Sequence, residues 1–112
     1  MDSTVILINR EGMGEAPADL QKTLITTYLK LLIDNKLKPY AICFYGKGVK
    51  LTAEGSPVID ALKTLEARGV SIVVCMTCLK YFNLVDRLSV GVIGGMGDIL
   101  LAQQRAAKVI TL

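Results

Sequence analysis

The chain contains no histidine. That absence removes Ser-His-Asp and Cys-His catalysis from within one chain, together with the commonest metal ligand. Long apolar runs are also missing: Val70 to Cys75, broken only by Ser71, is among the longest, far below the roughly 20 residues a membrane span needs. The opening stretch MDSTVILINREG has no basic segment before its apolar part and no small-residue cleavage site, so it does not read as a signal peptide. Charge of one sign is scarce too. Thirteen basic residues against ten acidic give +3, scattered along the chain, which excludes the clustered basic face of a nucleic-acid binder. These absences predict a cytosolic protein with neither a membrane nor a nucleic acid as partner, whose chemistry must use thiols, carboxylates, lysines or backbone amides.

What is present suits one compact domain over residues 1–112. Hydrophobic residues make up 52% of 112, enough for a core without a disulfide framework. Short branched or aromatic runs predict strands at Thr4–Ile8, Tyr40–Tyr45, Val70–Val74 and Lys108–Leu112, with a weaker one at Ser89–Ile93. Continuous rather than alternating apolarity predicts strands covered on both faces, as in parallel sheets. Between them, Leu20, Leu24, Tyr28, Leu31 and Leu32 recur at helical spacing and predict a helix over about 17–35 with those residues as its buried stripe. Ser56-Pro57 predicts the cap and first turn of a second helix, carrying Val58, Ala61, Leu62 and Leu65 and ending at Gly69. Shorter helices are expected over 78–82 and 98–107. The resulting β-α alternation, closed with right-handed crossovers, predicts a three-layer α/β/α sandwich around a mainly parallel five-stranded sheet.

In such a sheet, ligands gather beyond the carboxyl ends of the strands. The segments that follow the predicted strands are glycine-rich: Gly12 and Gly14 after the first, Gly46-Lys47-Gly48 after the second, Gly95 and Gly97 after the fourth. None matches a dinucleotide or phosphate-loop fingerprint. They are either turn residues or an amide-lined anion pocket helped by Lys47 or Lys50. After the third strand stands Cys75-Met76-Thr77-Cys78, two of the chain's three cysteines. Cys75 closes a strand, while Thr77 is expected to cap the next helix and leave Cys78 in its first turn, where the dipole would favour a thiolate. Two thiols alone do not make a zinc site, which would need a second chain or carboxylates. A thioredoxin-type dithiol would need a cis-proline that the sequence does not offer. Tyr81 and Phe82 are expected to anchor the short helix, Asp98 to act as a helix cap or first-turn charge, and Cys43 and Tyr28 to be core.

From Ile42 to Leu84, ICFYGKGVKLTAEGSPVIDALKTLEARGVSIVVCMTCLKYFNL resembles the DsrE-like sulfur-relay fold, and in particular the DsrE-like domain of the YedF family associated with selenium metabolism. The similarity rests on VKLTAEGSPV, ARGV, CxTCLxYF and the closing MGDI and KVITL segments, and it extends back to Gly12-Met13-Gly14. It implies a cytosolic homo-oligomer whose CxxC cysteine, Cys75 or Cys78, accepts sulfane sulfur or selenium as a persulfide-type adduct and passes it on without a cofactor or resident metal. Departures are Met76 where relatives commonly carry glycine, and Lys80 where they are often acidic. Relatives often carry a TusA-like domain ahead of this one; these residues hold none, which implies a separate sulfur donor or acceptor protein. The alternative is a non-catalytic oligomeric module that binds a small anion or partner protein on the same rim.

Overall fold

A computed structural model describes residues 3–112. Its chain order is β1 (Thr4–Ile8), α1 (Ala18–Asp34), β2 (Ala41–Phe44), a 3₁₀ segment (Gly46–Thr52), α2 (Ile59–Ala67), β3 (Ser71–Cys75), α3 (Met76–Tyr81), a short 3₁₀ turn (Val85–Arg87), β4 (Val92–Gly94), α4 (Met96–Arg105) and β5 (Lys108–Thr111). The five strands form one sheet in the order β4-β3-β2-β1-β5, and every pairing is parallel. The fold is therefore the expected α/β sheet, parallel throughout.

Alternating strand residues divide between the two faces of the sheet. Ile6, Ile8, Ile42, Phe44, Ile72 and Val74 share one face by register and are fully buried or nearly so. Each such side chain contributes about 1.5–3 kcal/mol by leaving water. The opposite face carries Val5, Ala41, Cys43 and Val73, against which α4 packs, since Ala41, Ser71 and Val73 line a cleft with Leu101 and Ala102. Coverage on both sides holds for the central strands β1 and β2, which are buried at every position. It fails at the edges, where Val92 of β4 and Val109 of β5 are exposed.

The largest departure from expectation is the rotation of α1. Its buried residues are Ile25, Leu29 and Leu32, whereas Leu20, Leu24 and Leu31 lie outside and Tyr28 is half-buried. Gln21 explains the rotation. Its backbone oxygen accepts the Met13 N–H at 3.1 Å and its side-chain amide donates to the Gly14 oxygen at 2.7 Å. The β1–α1 loop thus grips Gln21, and Ile25, Leu29 and Leu32 follow it in helical phase. Gly12 allows this contact, because a Cβ there would stand 2.4 Å from the Gln21 Cβ.

Three helix starts also shift, α4 beginning at Met96 and ending at Arg105 where 98–107 was expected. Ser56 Oγ accepts the Val58 N–H at 3.2 Å, capping a turn rather than the helix, and α2 begins at Ile59. The cap position of α3 is Cys75, and Thr77 lies inside that helix with its side chain exposed. At the start of α4, Asp98 behaves as expected, its carboxylate accepting the Gly95 N–H at 2.8 Å. No helix among the described residues is long and apolar enough to cross a membrane.

Candidate functional site

Because β3, β2 and β1 are neighbours, the loops after them meet at the carboxyl end of the sheet. Cys75 is the last residue of β3 and is 1% exposed, whereas Cys78, one turn into α3, is half-buried and reaches the surface. Cys78 accepts a hydrogen bond from the Gly46 N–H at 3.1 Å, and Cys75 stands close enough to raise the Cys78 pKa. The loop after β2 therefore supplies a backbone donor to the α3 thiol.

Why that donor stands where it does follows from two glycines. Gly46 has φ +57, in the left-handed region where glycine is unstrained, and a Cβ there would lie 3.0 Å from the Asn9 oxygen. Gly48 is seated still more closely, since its Cβ would fall 2.1 Å from the Ile8 oxygen at the end of β1. Neither position has room for a methyl group without backbone movement. The loop is thus wedged against the central strand, and Lys47 is carried between the two contacts.

The electrostatics of Cys78 differ from the helix-dipole expectation. Burial pushes its pKa above the ordinary thiol value, the Gly46 N–H pulls it back in part, and the adjoining Cys75 raises it again. A six-residue helix offers little dipole to oppose desolvation. Cys43 is fully buried in β2, and burial pushes its thiol up to about 11. It is a core residue, as expected.

The remaining predicted rim residues are not all brought to the thiols. Gly12 and Gly14 pack on α1 through Gln21, which takes the Met13 N–H and donates to the Gly14 carbonyl. Gly95 lies at the β4 edge with its N–H given to Asp98, and Gly97 is exposed in α4 with nothing near its Cβ direction. Lys50 lies 4.6 Å above the Phe82 ring and 4.0 Å from the Glu11 carboxylate. Phe82 is half-buried, but Tyr81 is exposed and meets it edge-on at 5.1 Å, so only Phe82 anchors the short helix. Among the described residues, no group of three or more His, Cys, Asp or Glu side chains gathers in a metal-binding arrangement.

Sequence reasoning did not single out Arg10, Lys22 and Asn9. With Glu11, Ala18, Gln21 and Lys47 they line a cavity of about 490 Å³ beside the Gly46 loop. The available signal was the position of Asn9 and Arg10 immediately after β1; Lys22 carried none, because its placement depends on the rotation of α1.

The DsrE/DsrF-like family model matches residues 4–112, and the chain belongs to that family, which is associated with sulfur relay. The fold is shared with the ychN protein from E. coli, at 20% identity and a TM-score of 0.74, each chain covered over 100% of its length. It is likewise similar to MTH1491 from Methanobacterium thermoautotrophicum, a protein of unknown function, at 19% identity, a TM-score of 0.71 and 97% coverage of both chains. BT1422 from Bacteroides thetaiotaomicron, also of unknown function, aligns at 17% identity with a TM-score of 0.64, covering 98% of this chain and 95% of its own. No curated protein matches the sequence.

Proposed function

We propose that this chain is a persulfide-forming sulfur carrier of the YedF-like branch, with Cys78 as the loaded residue, Cys75 as its resolving partner, and selenium as a second cargo. The observation that carries the reading is the Gly46 N–H on the Cys78 sulfur at 3.1 Å, with Cys78 reaching the surface and Cys75 buried behind it. A Cys78 thiolate attacks the outer sulfur of a donor persulfide and becomes Cys78–S–SH, while the donor leaves as a thiolate. A thiolate on an acceptor protein then takes the outer sulfur and regenerates Cys78. Where no acceptor arrives, the Cys75 thiolate attacks the inner sulfur of Cys78, forming the Cys75–Cys78 disulfide and expelling hydrosulfide. The Gly46 amide favours the anionic forms of sulfur through each step. The working form is a homo-oligomer, supported by the apolar side chains exposed around α4.

Intact-mass spectrometry after exposure to a sulfane-sulfur donor tests this directly. A reductant-labile gain of one sulfur is expected in the unaltered protein and in Cys75→Ser, and its absence in Cys78→Ser. Loading unaffected by Cys78→Ser, or found in neither the unaltered protein nor any variant, ends the carrier assignment. The raised Cys78 pKa favours a second reading, a non-catalytic module that holds a small anion or partner at the rim. It requires ligand binding to persist after both cysteines are replaced.

A further inference from the structure

One residue along the chain from the Gly46 N–H that meets Cys78, Lys47 lines a cavity of about 490 Å³, the most strongly charged hollow at the carboxyl end of the sheet. Its cations come from three separate elements: Arg10 from the β1 loop, Lys22 from α1 and Lys47 from the β2 loop. One carboxylate, Glu11, stands among them. Arg10 is held from below, because its Nε donates to the Asn9 side-chain oxygen at 3.4 Å while the Asn9 amide donates to the Tyr45 hydroxyl at 3.3 Å. Ala18, the first residue of the 17-residue α1, also lines the hollow, so the positive end of that helix adds to the field. Lys47 is followed and preceded by the two wedged glycines, and the N–H of the preceding one, Gly46, meets the Cys78 sulfur.

We propose that this hollow is the binding site for the sulfur donor, and that the donor is a low-molecular-weight persulfide of short-peptide size bearing two carboxylates and one ammonium group. The inference deepens the carrier reading of Cys78 and rests on it. Three cations against one carboxylate complement such a zwitterion of net charge −1. The volume falls in the range of roughly 300–1,000 Å³ typical of small-molecule sites. A cavity of this volume is much larger than an ion of a few atoms, whereas a peptide-sized ligand fills it, engages groups on three elements, and in this proposal continues along Lys47 and Gly46 toward the Cys78 sulfur. The transfer is balanced without a further reagent. The Cys78 thiolate forms a bond to the outer sulfur of R–S–SH, the donor S–S bond breaks, its electron pair leaves with R–S⁻, and Cys78–S–SH remains.

Glutathione persulfide has this charge pattern and serves as the probe, with inorganic polysulfide as a donor too small to span the hollow. Loading of Cys78 is followed by intact mass in the unaltered protein and in the double variant Lys22→Gln/Lys47→Gln. The expected result is a loss of about five-fold in the loading rate with glutathione persulfide, in line with two exposed ion contacts, and an unchanged rate with polysulfide. Equal slowing with both donors, or no slowing with either, overturns the proposal. Binding is measured separately by calorimetry with S-methylglutathione, which carries no sulfane sulfur. Cys78→Ser should bind it as the unaltered protein does, and the double lysine variant should bind it about five-fold more weakly. If neither donor loads the protein but this binding pattern holds, the carrier reading fails and the pocket stands. If S-methylglutathione binds none of the proteins, the pocket fails whatever the cysteines do.

Discussion

Cys75 and Cys78 are three positions apart and chemically unlike. One closes a central part of the sheet, out of solvent; the other stands at its rim with a backbone donor on its sulfur. Because burial and then Cys75 raise the Cys78 pKa, while Gly46 lowers it, the thiolate fraction of Cys78 grows only on the alkaline side of the ordinary thiol value. The rate of Cys78 alkylation by iodoacetamide should therefore keep climbing above pH 9.0, the ordinary thiol value. Replacing Cys75 by alanine removes a raising influence, so the profile of Cys75→Ala should move toward lower pH; a profile unmoved or moved upward contradicts the influence of Cys75 on Cys78. Both cysteines were legible in the sequence from their spacing after a branched apolar run. Their difference in exposure was not, and neither was the hydrogen bond that Cys78 takes from Gly46, 32 positions away.

At the scale of elements, the strands were the most legible part, because a buried parallel strand writes itself as an unbroken apolar run. Helix α1 was legible in extent but not in rotation. It carries two apolar stripes, and only the grip of the β1 loop on Gln21 determines which one meets the sheet. The 3₁₀ segment Gly46–Thr52 was read as a loop, since its order derives from contact with β1 and from bonds such as Thr52 Oγ1 to the Val49 oxygen at 2.7 Å. Gly48 is the most exacting residue of that segment. Gly48→Ala would drive a methyl into the Ile8 carbonyl and should cost about 1–3 kcal/mol of stability, read from the urea midpoint. It should also slow sulfur loading, because the shifted loop takes the Gly46 N–H away from Cys78. Full loading in a destabilised Gly48→Ala would show that the Gly46 bond is dispensable.

For the whole molecule, the distribution of apolar surface points to assembly. Mean hydropathy is +0.47, and α4 is the helix that covers the second face of the sheet, leaving Met96, Leu100, Val92 and Val109 exposed around it. A second copy of the chain seated on this face would bury them. Sedimentation velocity should show a multimer, and Leu100→Glu should shift it toward the monomer without changing the far-UV circular dichroism; a monomeric unaltered protein removes the assembly reading. Composition alone signalled this tendency, but which surface carries it became visible only once the strand order set α4 apart from α1 and α2. The seat of Gly48 on the Ile8 carbonyl has a kinetic side as well. A loop wedged so closely against the central strand is a fixture and not a lid, so on the carrier reading proposed above the loading of Cys78 should begin without a lag.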